Sequence, residues 1–183
     1  MITPKTDLRP TMDMVKGAIF SSLGEWLPGK RVLDLFAGSG GLGIEALSRG
    51  CGEATMVEKD VRAVAVIHKN LEKTRLRGTV HQMDIFSYLD KVAPEHGFDL
   101  ILADPPYSKQ QGDRDFTAEL LNAPNLLRAL APDGLFVLEH RPGAKLPLGT
   151  EWESIRQKRY GATEVALLRR AGEEQTQAET DEH

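Results

Sequence analysis

The sequence has a single cysteine, Cys51, among its 183 residues, and it has no apolar run approaching the roughly 20 residues that a membrane-spanning helix needs. One cysteine cannot form an internal disulfide bond, and Cys51 has no metal-ligand companions, which is typical of a protein from a reducing compartment. The five histidines are scattered without metal-ligand spacing. No charged segment followed by an apolar one opens the chain as a secretion signal would. We therefore expect a cytoplasmic protein that binds neither a metal nor a membrane.

Net charge is also small, and it is unevenly distributed. The formal net charge is −4, but residues 171–183 hold five acidic and no Lys or Arg side chains. Residues 1–170 therefore carry 23 basic and 22 acidic side chains, a net charge of +1. Because residues 171–183 lack apolar periodicity, we predict that they form a disordered acidic tail. Residues 1–170 are predicted to form a single domain, long enough to bury a core without disulfides.

Short apolar segments alternate with amphipathic ones along the chain. Strands are predicted where runs of branched or aromatic residues lie between turn-forming residues. Helices are predicted between the strands, the first capped by Thr11 and ended by Pro28-Gly29, and the last extending to Leu130. The order predicts a doubly wound α/β fold, with a mostly parallel seven-stranded sheet and a C-terminal antiparallel hairpin at one edge. The predicted strands cover residues 31–36, 54–58, 79–83, 98–103, 135–139, 152–160 and 163–169.

The run from Phe98 to Ala103 is predicted to be a fully buried strand that ends on Asp104-Pro105-Pro106-Tyr107. Open α/β sheets carry their chemistry at the carboxyl ends of such strands. Two prolines stiffen the turn and leave the carbonyl of Pro105 free to accept a hydrogen bond. A carboxylate, a rigid carbonyl and an aromatic ring can together hold a planar group that carries an NH₂. The tetrapeptide therefore indicates the candidate catalytic residues.

A glycine loop, Gly38-Ser39-Gly40-Gly41-Leu42-Gly43, follows the first strand, and Glu58 lies 20 residues beyond Gly38. This is the dinucleotide fingerprint, but the carboxylate of Asp34 at the end of the first strand would repel a pyrophosphate. Asp34, Glu58 and Asp84 lie at or near the ends of the first three predicted strands. As a set they suit S-adenosylmethionine, which presents an ammonium, a ribose diol and an adenine amine. For Asp84 alone, a helix-capping role is the alternative.

Several segments of the chain match a known family: Arg9-Pro10-Thr11 with Asp13, residues 34–40 with Gly43 and residues 45–50, Glu58, Asp84, residues 104–107, and residues 158–161. They resemble the class I S-adenosylmethionine-dependent methyltransferases, which have a Rossmann-like fold. Among these, the chain is similar to the family that methylates the exocyclic N2 of a guanine in 16S ribosomal RNA of the small subunit. The resemblance covers residues 9–170. Family members usually have a further basic β segment before Arg-Pro-Thr, and only eight residues precede it here.

The resemblance implies a role for individual residues. It implies that Asp104 and the Pro105 carbonyl hold the target amine, that Tyr107 stacks on an extruded base, and that Arg9 and Thr11 close over the cofactor. Lys109 and Arg114 follow the tetrapeptide, so we expect them to contact RNA. The expected cofactor-binding residues are Arg9, Thr11, Asp34, Phe36, Ala37, Gly38, Ser39, Gly40, Glu58, Lys59, Asp84 and Ile85.

Three other functions remain open from the sequence. N6-adenine DNA methyltransferases use a similar tetrapeptide but usually carry an added target-recognition region, for which no insert is present here. Methylation of a protein glutamine amide usually involves Asn in place of Asp104. A non-catalytic RNA-binding assembly factor could also keep this fold, but the intact Asp34, Gly38, Gly40 and Asp104 argue against it. We expect a monomer that acts on small-subunit ribosomal RNA, free or in an assembled particle.

Overall fold

Seven strands form one mixed sheet in the computed structural model, which describes residues 8–172. The strands are β1 (Arg31–Leu35), β2 (Glu53–Glu58), β3 (Thr79–Gln82), β4 (Phe98–Ala103), β5 (Leu130–His140), β6 (Trp152–Tyr160) and β7 (Thr163–Arg170). Their spatial order is β3-β2-β1-β4-β5-β7-β6, in which β1 to β5 are parallel, and β7 is antiparallel to both β5 and β6. This arrangement confirms the predicted doubly wound sheet and its C-terminal hairpin.

Helices cover both faces of the sheet, because its strands alternate buried side chains between two apolar layers. The helices are α1 (Leu8–Leu23), a 3₁₀ turn (Gly24–Trp26), α2 (Gly41–Ser48), α3 (Val61–Thr74), α4 (Ile85–Lys91), α5 (Phe116–Asn122) and α6 (Pro124–Ala129). On one face, Ile101 of β4 packs in a cluster with residues of α4, α5 and α6, and on the other, Leu100 packs with residues of α1 and α2. No helix within residues 8–172 is long and apolar enough to cross a membrane.

Two predicted boundaries were wrong because of proline. Helix α1 begins at Leu8, so Thr11 is not its N-cap. Pro10 fits in the first turn, where backbone N–H groups have no helical partner. The helix predicted to extend to Leu130 is instead the pair α5 and α6, because Ala123, which precedes Pro124, has the extended conformation that a following proline favours.

The predicted turn at residues 132–134 lies inside β5, which therefore begins at Leu130 rather than at residue 135. The pairing between β4 and β5 shifts in register between Phe98 and Leu100, and exposed Pro132 and Asp133 lie in this irregular part of β5. A β-bulge tolerates a proline in this way. All but the first two residues of the predicted acidic tail, 171–183, lie outside the described residues.

Trp152 joins the hairpin to the main core. It is 3% exposed, its ring centroid lies 5.3 Å from that of Phe136, and its Nε1–H donates to the Leu121 carbonyl at 3.0 Å. We expect Trp152→Phe to lower the free energy of unfolding by about 2–3 kcal/mol, because it leaves a buried carbonyl unpaired and opens a small cavity. Urea denaturation measures this. Trp26→Phe is the control, and an equal loss in both variants would contradict the role assigned to Trp152.

Candidate active site

A cavity of about 800 Å³ opens at the carboxyl ends of β1, β2, β4 and β5. Strand order reverses between β1 and β4, and ligands of open α/β sheets bind in the crevice at such a point. The cavity brings together ten of the predicted site residues: Asp34, Phe36, Ala37, Gly38, Ser39, Glu58, Asp104, Pro105, Pro106 and Tyr107. The other lining residues are Met12, Asp13, Val15, Lys16, Gly41, Leu42, Glu139, Ala162 and Thr163.

Asp34 is the next-to-last residue of β1, and it is 1% exposed. One of its carboxylate oxygens accepts a hydrogen bond from the Gly43 N–H at 2.9 Å. Burial raises the pKa of Asp34 to about 7, against this hydrogen bond, and the charges of Asp104 and Glu58 add to the rise. Gly43 permits the contact because a Cβ there would lie 2.7 Å from Met56 Cγ and 3.3 Å from an Asp34 oxygen. Burial therefore destabilises the ionised form of Asp34, and a cationic ligand beside it would stabilise that form.

The loop between β1 and α2 is held by Glu58. Glu58 accepts hydrogen bonds from the Gly38 N–H at 2.8 Å and from the Asp60 N–H at 3.1 Å, one on each oxygen. Gly38 has a φ of +58°, a left-handed conformation that favours glycine. A carboxylate oxygen can accept two hydrogen bonds, so both Glu58 oxygens can also accept from hydroxyl groups of a ligand.

The tetrapeptide begins directly after β4, next to an acid that the sequence analysis did not select. Ala103 is paired with Leu138 of β5, so the next residues, Asp104 and Glu139, lie side by side. Both of their side chains line the cavity. Glu139 is 8% exposed, whereas Asp104 is open to solvent through the cavity. The signal for Glu139 was available, because it is an acid at or next to the end of its strand, as Asp34 and Glu58 are.

The two carboxyl groups affect each other's ionisation. Burial, and then the charge of Asp104, raise the pKa of Glu139 to about 9. Protein atoms around Asp104 raise its pKa by desolvation, although the hydrogen bond with Glu139 opposes the rise. At neutral pH the pair therefore keeps one proton.

Tyr107 is held at the cavity wall by its hydroxyl group. The hydroxyl donates to the His140 carbonyl at 3.2 Å and is also hydrogen-bonded to the Thr163 hydroxyl. Desolvation raises the pKa of Tyr107. Because both partners lie on the C-terminal half of the sheet, the ring orientation depends on β5 and β7.

Four predicted cofactor residues lie outside the cavity lining. Asp84 is the N-cap of α4 and accepts from the Ser87 N–H at 3.0 Å, as the capping alternative predicts. Ile85 is buried in the core, Gly40 caps α2, and Lys59 is exposed. Arg9 and Thr11 lie on α1, in the part whose side chains are not described.

The two cations expected to contact RNA differ in their surroundings. Lys109 is exposed, and its side chain has no ion-pair partner among the described residues. Arg114 is also exposed but pairs with Glu119 at 2.6 Å, and its guanidinium carbon lies 5.2 Å and 4.5 Å from the ring centroids of Phe86 and Phe116. Its guanidinium therefore already has an ion-pair partner and two aromatic neighbours.

Charge distinguishes the cavity from an anion site. Its wall carries acidic side chains from β1, β2, β4, β5 and α1, and Lys16 is the basic residue among the described lining residues. Such a wall attracts cations and repels phosphates. The carboxylates fit the sulfonium and ammonium of S-adenosylmethionine. Among residues 8–172, no group of three or more His, Cys, Asp or Glu is arranged to hold a metal ion.

Known proteins resemble this chain over most of its length. A family profile described as conserved hypothetical protein 95 matches residues 1–169. A protein of Bacillus subtilis (strain 168), provisionally named an rRNA methyltransferase, YlbH, is 39% identical over 171 residues, which cover 91% of this chain and 90% of that protein. Ribosomal RNA small subunit methyltransferase D of Escherichia coli (strain K12) is 30% identical over 174 residues, covering 94% and 84%.

The fold has a counterpart among solved structures. An Escherichia coli protein, yhhF, provisionally described as a methyltransferase, superposes with a TM-score of 0.76. The alignment is 26% identical and covers 94% of this chain and 92% of that one. The relatives and the solved structure therefore agree with the class I methyltransferase fold that the family resemblance implied.

Proposed function

The chain belongs to the family described as conserved hypothetical protein 95, and we propose that it transfers a methyl group from S-adenosylmethionine to the exocyclic N2 amine of a guanine in 16S ribosomal RNA. The relatives' names support ribosomal RNA as the methylated molecule. One observation supports the finer proposal: Asp104-Pro105-Pro106-Tyr107 lines the same cavity as Asp34 and Glu58, so the residues proposed to hold the amine and those proposed to hold the cofactor share one cavity.

The cofactor fits the half of the cavity between β1 and β2. Asp34 binds the ammonium, Glu58 accepts from the ribose hydroxyls, and the loop containing Phe36, Ala37, Gly38, Ser39 and Gly40 forms the floor. Asp84 and Ile85 contact the adenine, and Lys59 lies nearby. Arg9 and Thr11 close over the cofactor. When bound, the cofactor supplies a methyl group already activated by its sulfonium, so the protein's task is alignment.

The target amine fits the half of the cavity at the end of β4. Asp104 and the Pro105 carbonyl accept the two N–H groups, and Pro106 keeps the turn rigid. These hydrogen bonds favour a pyramidal nitrogen, whose lone pair then points away from Asp104 and into the cavity. Tyr107 stacks on the base, which must leave its own stack to enter.

Ribosomal RNA of the small subunit approaches the cavity mouth in this proposal. Lys109, on the exposed loop after the tetrapeptide, contacts the phosphate backbone, and Arg114 can do so from its position beside Phe86 and Phe116. The protein acts as a monomer, through the single domain of residues 1–170.

Transfer of a labelled methyl group tests the proposal. The purified protein is incubated with labelled S-adenosylmethionine and one of three substrates: unmodified small-subunit particles, free 16S RNA, or duplex DNA. After digestion to nucleosides, we expect label in N2-methylguanosine from particle or RNA. Label only in N6-methyladenine from DNA would replace our proposal with the DNA alternative, and cofactor binding without any transfer would favour the assembly factor.

A further inference from the structure

The neighbouring carboxyl groups of Asp104 and Glu139, which we call the carboxyl pair, lie where the target amine must bind. Their positions follow from the sheet, because β4 and β5 are parallel and Ala103 is paired with Leu138. Both side chains line the same cavity. Two ionised carboxylates held side by side repel each other, so one member of the pair retains a proton.

The surroundings decide which member carries it. Glu139 is 8% exposed and lies near the charge of Asp34, so its ionised form is disfavoured by both burial and repulsion. Asp104 is open to the cavity, where water can solvate its charge. The proton therefore resides on Glu139, and one Asp104 oxygen accepts it in a hydrogen bond.

We propose that Glu139 is a positioning residue: its protonated carboxyl donates to one Asp104 oxygen and directs the other oxygen at the target amine. The inference rests on the proposed function. The inference assigns a role to Glu139, a buried acid that has no role if residues 104–107 hold the amine alone.

The step balances in atoms and charge. The nitrogen lone pair forms the bond to the methyl carbon while the carbon–sulfur bond breaks and its electrons stay on sulfur. The methylated nitrogen then gives one proton to Asp104. The carboxyl pair passes from one proton and one negative charge to two protons and no charge, and Asp104 later releases its proton to water through the cavity mouth. A solvated Asp, with a pKa of about 4, would accept that proton less readily.

Other charged groups face the carboxyl pair and set its proton affinity. Asp34 from β1 and Glu58 from β2 are acidic, as is Asp13 from α1, and all three favour a retained proton. Lys16 from α1 opposes them. Tyr107 lies beside the pair, and its own ionisation is disfavoured by both carboxyl groups. Acidic neighbours outnumber basic ones, which agrees with a pair that holds its proton at neutral pH.

Three variants test the role by kinetics. Glu139→Gln keeps a donor to Asp104, so we expect kcat within about threefold of wild type, whereas Glu139→Leu has no donor and is expected to lose at least about tenfold in kcat. The dissociation constant of S-adenosylhomocysteine and the KM for RNA should change less than about threefold. Glu153→Gln, on the exposed face of β6, is the control and should match wild type. Equal losses in Gln and Leu, or losses confined to KM, would overturn the proposal.

A titration without substrate separates this inference from the proposed function. With ¹³C-carboxyl-labelled glutamate, the signal that disappears in Glu139→Gln belongs to Glu139. We expect it to titrate far above an ordinary glutamate in wild type, and at lower pH in Asp104→Asn, where the neighbouring charge is gone. An ordinary titration would overturn the inference even if the enzyme methylates RNA. If wild type methylates no RNA while Glu139 titrates as expected, the proposed function fails and the proton-holding pair stands.

Discussion

Asp104→Ala is expected to abolish methyl transfer while cofactor binding remains. The substitution removes the group that we propose holds the amine and receives its proton, so kcat should fall by at least about 10³-fold. Asp104 lines the part of the cavity beyond Asp34 and Glu58, so the dissociation constant of S-adenosylhomocysteine should change by less than about threefold. Single-turnover transfer and calorimetric titration measure the two quantities separately.

Two further variants sharpen that experiment. Asp104→Asn keeps an acceptor oxygen but cannot take a proton, so its rate should lie between wild type and alanine. Asp133→Ala replaces an exposed aspartate in the irregular part of β5 and should leave both quantities unchanged. If Asp104→Ala lost cofactor affinity together with kcat, the proposed division of the cavity into cofactor and amine halves would be wrong.

Asp34→Asn is expected to weaken cofactor binding about 10–100-fold, because a hydrogen bond to a charged partner contributes about 1.5–3 kcal/mol. The amide oxygen can still accept from the Gly43 N–H, so the loop should keep its shape. Calorimetry with S-adenosylhomocysteine measures the loss. Asp60→Asn, which alters the exposed cap of α3, is the control and should bind the cofactor as wild type does.

The same variant should be more stable than wild type at alkaline pH. The pKa of Asp34 is raised to about 7 in the folded protein, above its unfolded value, so the stability that this carboxyl contributes is complete below about pH 4 and is lost as pH rises through 7. Asp34→Asn has no carboxyl group to ionise at this position. Its thermal midpoint should therefore exceed that of wild type at pH 8, and the difference should shrink toward pH 4. A pH-independent difference would contradict the raised pKa.

Several features of the fold and of the candidate site could be predicted from short stretches of the sequence. The strand Phe98–Ala103 was predicted to the residue because an apolar run ends on a proline pair that cannot continue the ladder. Asp34 and Glu58 were selected because each is an isolated acid at or near the end of an apolar strand, and both line the cavity. The hairpin turn at residues 161–162 was confirmed for a similar reason, since alternating residues flank a glycine.

What the sequence did not reveal depends on contacts between distant residues. The role proposed for Glu139 depends on the register of β5 against β4, which no local pattern determines. Met12 and Lys16 form part of the cavity wall only because α1 packs beside the end of the sheet. Arg114 looked like a free cation in the sequence, but its contacts with Phe86 and Phe116 depend on where α4 and α5 meet.

The position of β7 between β5 and β6 also affects the order in which the site can form. The cofactor half is built from β1, β2 and the loop between them, which are close together in the sequence. The amine half is completed only when Thr163 reaches Tyr107, 56 residues earlier in the chain. Contacts of long sequence separation form late in folding because their loops are entropically costly to close. A growing chain can therefore shape a cofactor pocket well before it can orient a target base, and competence for methyl transfer is acquired last.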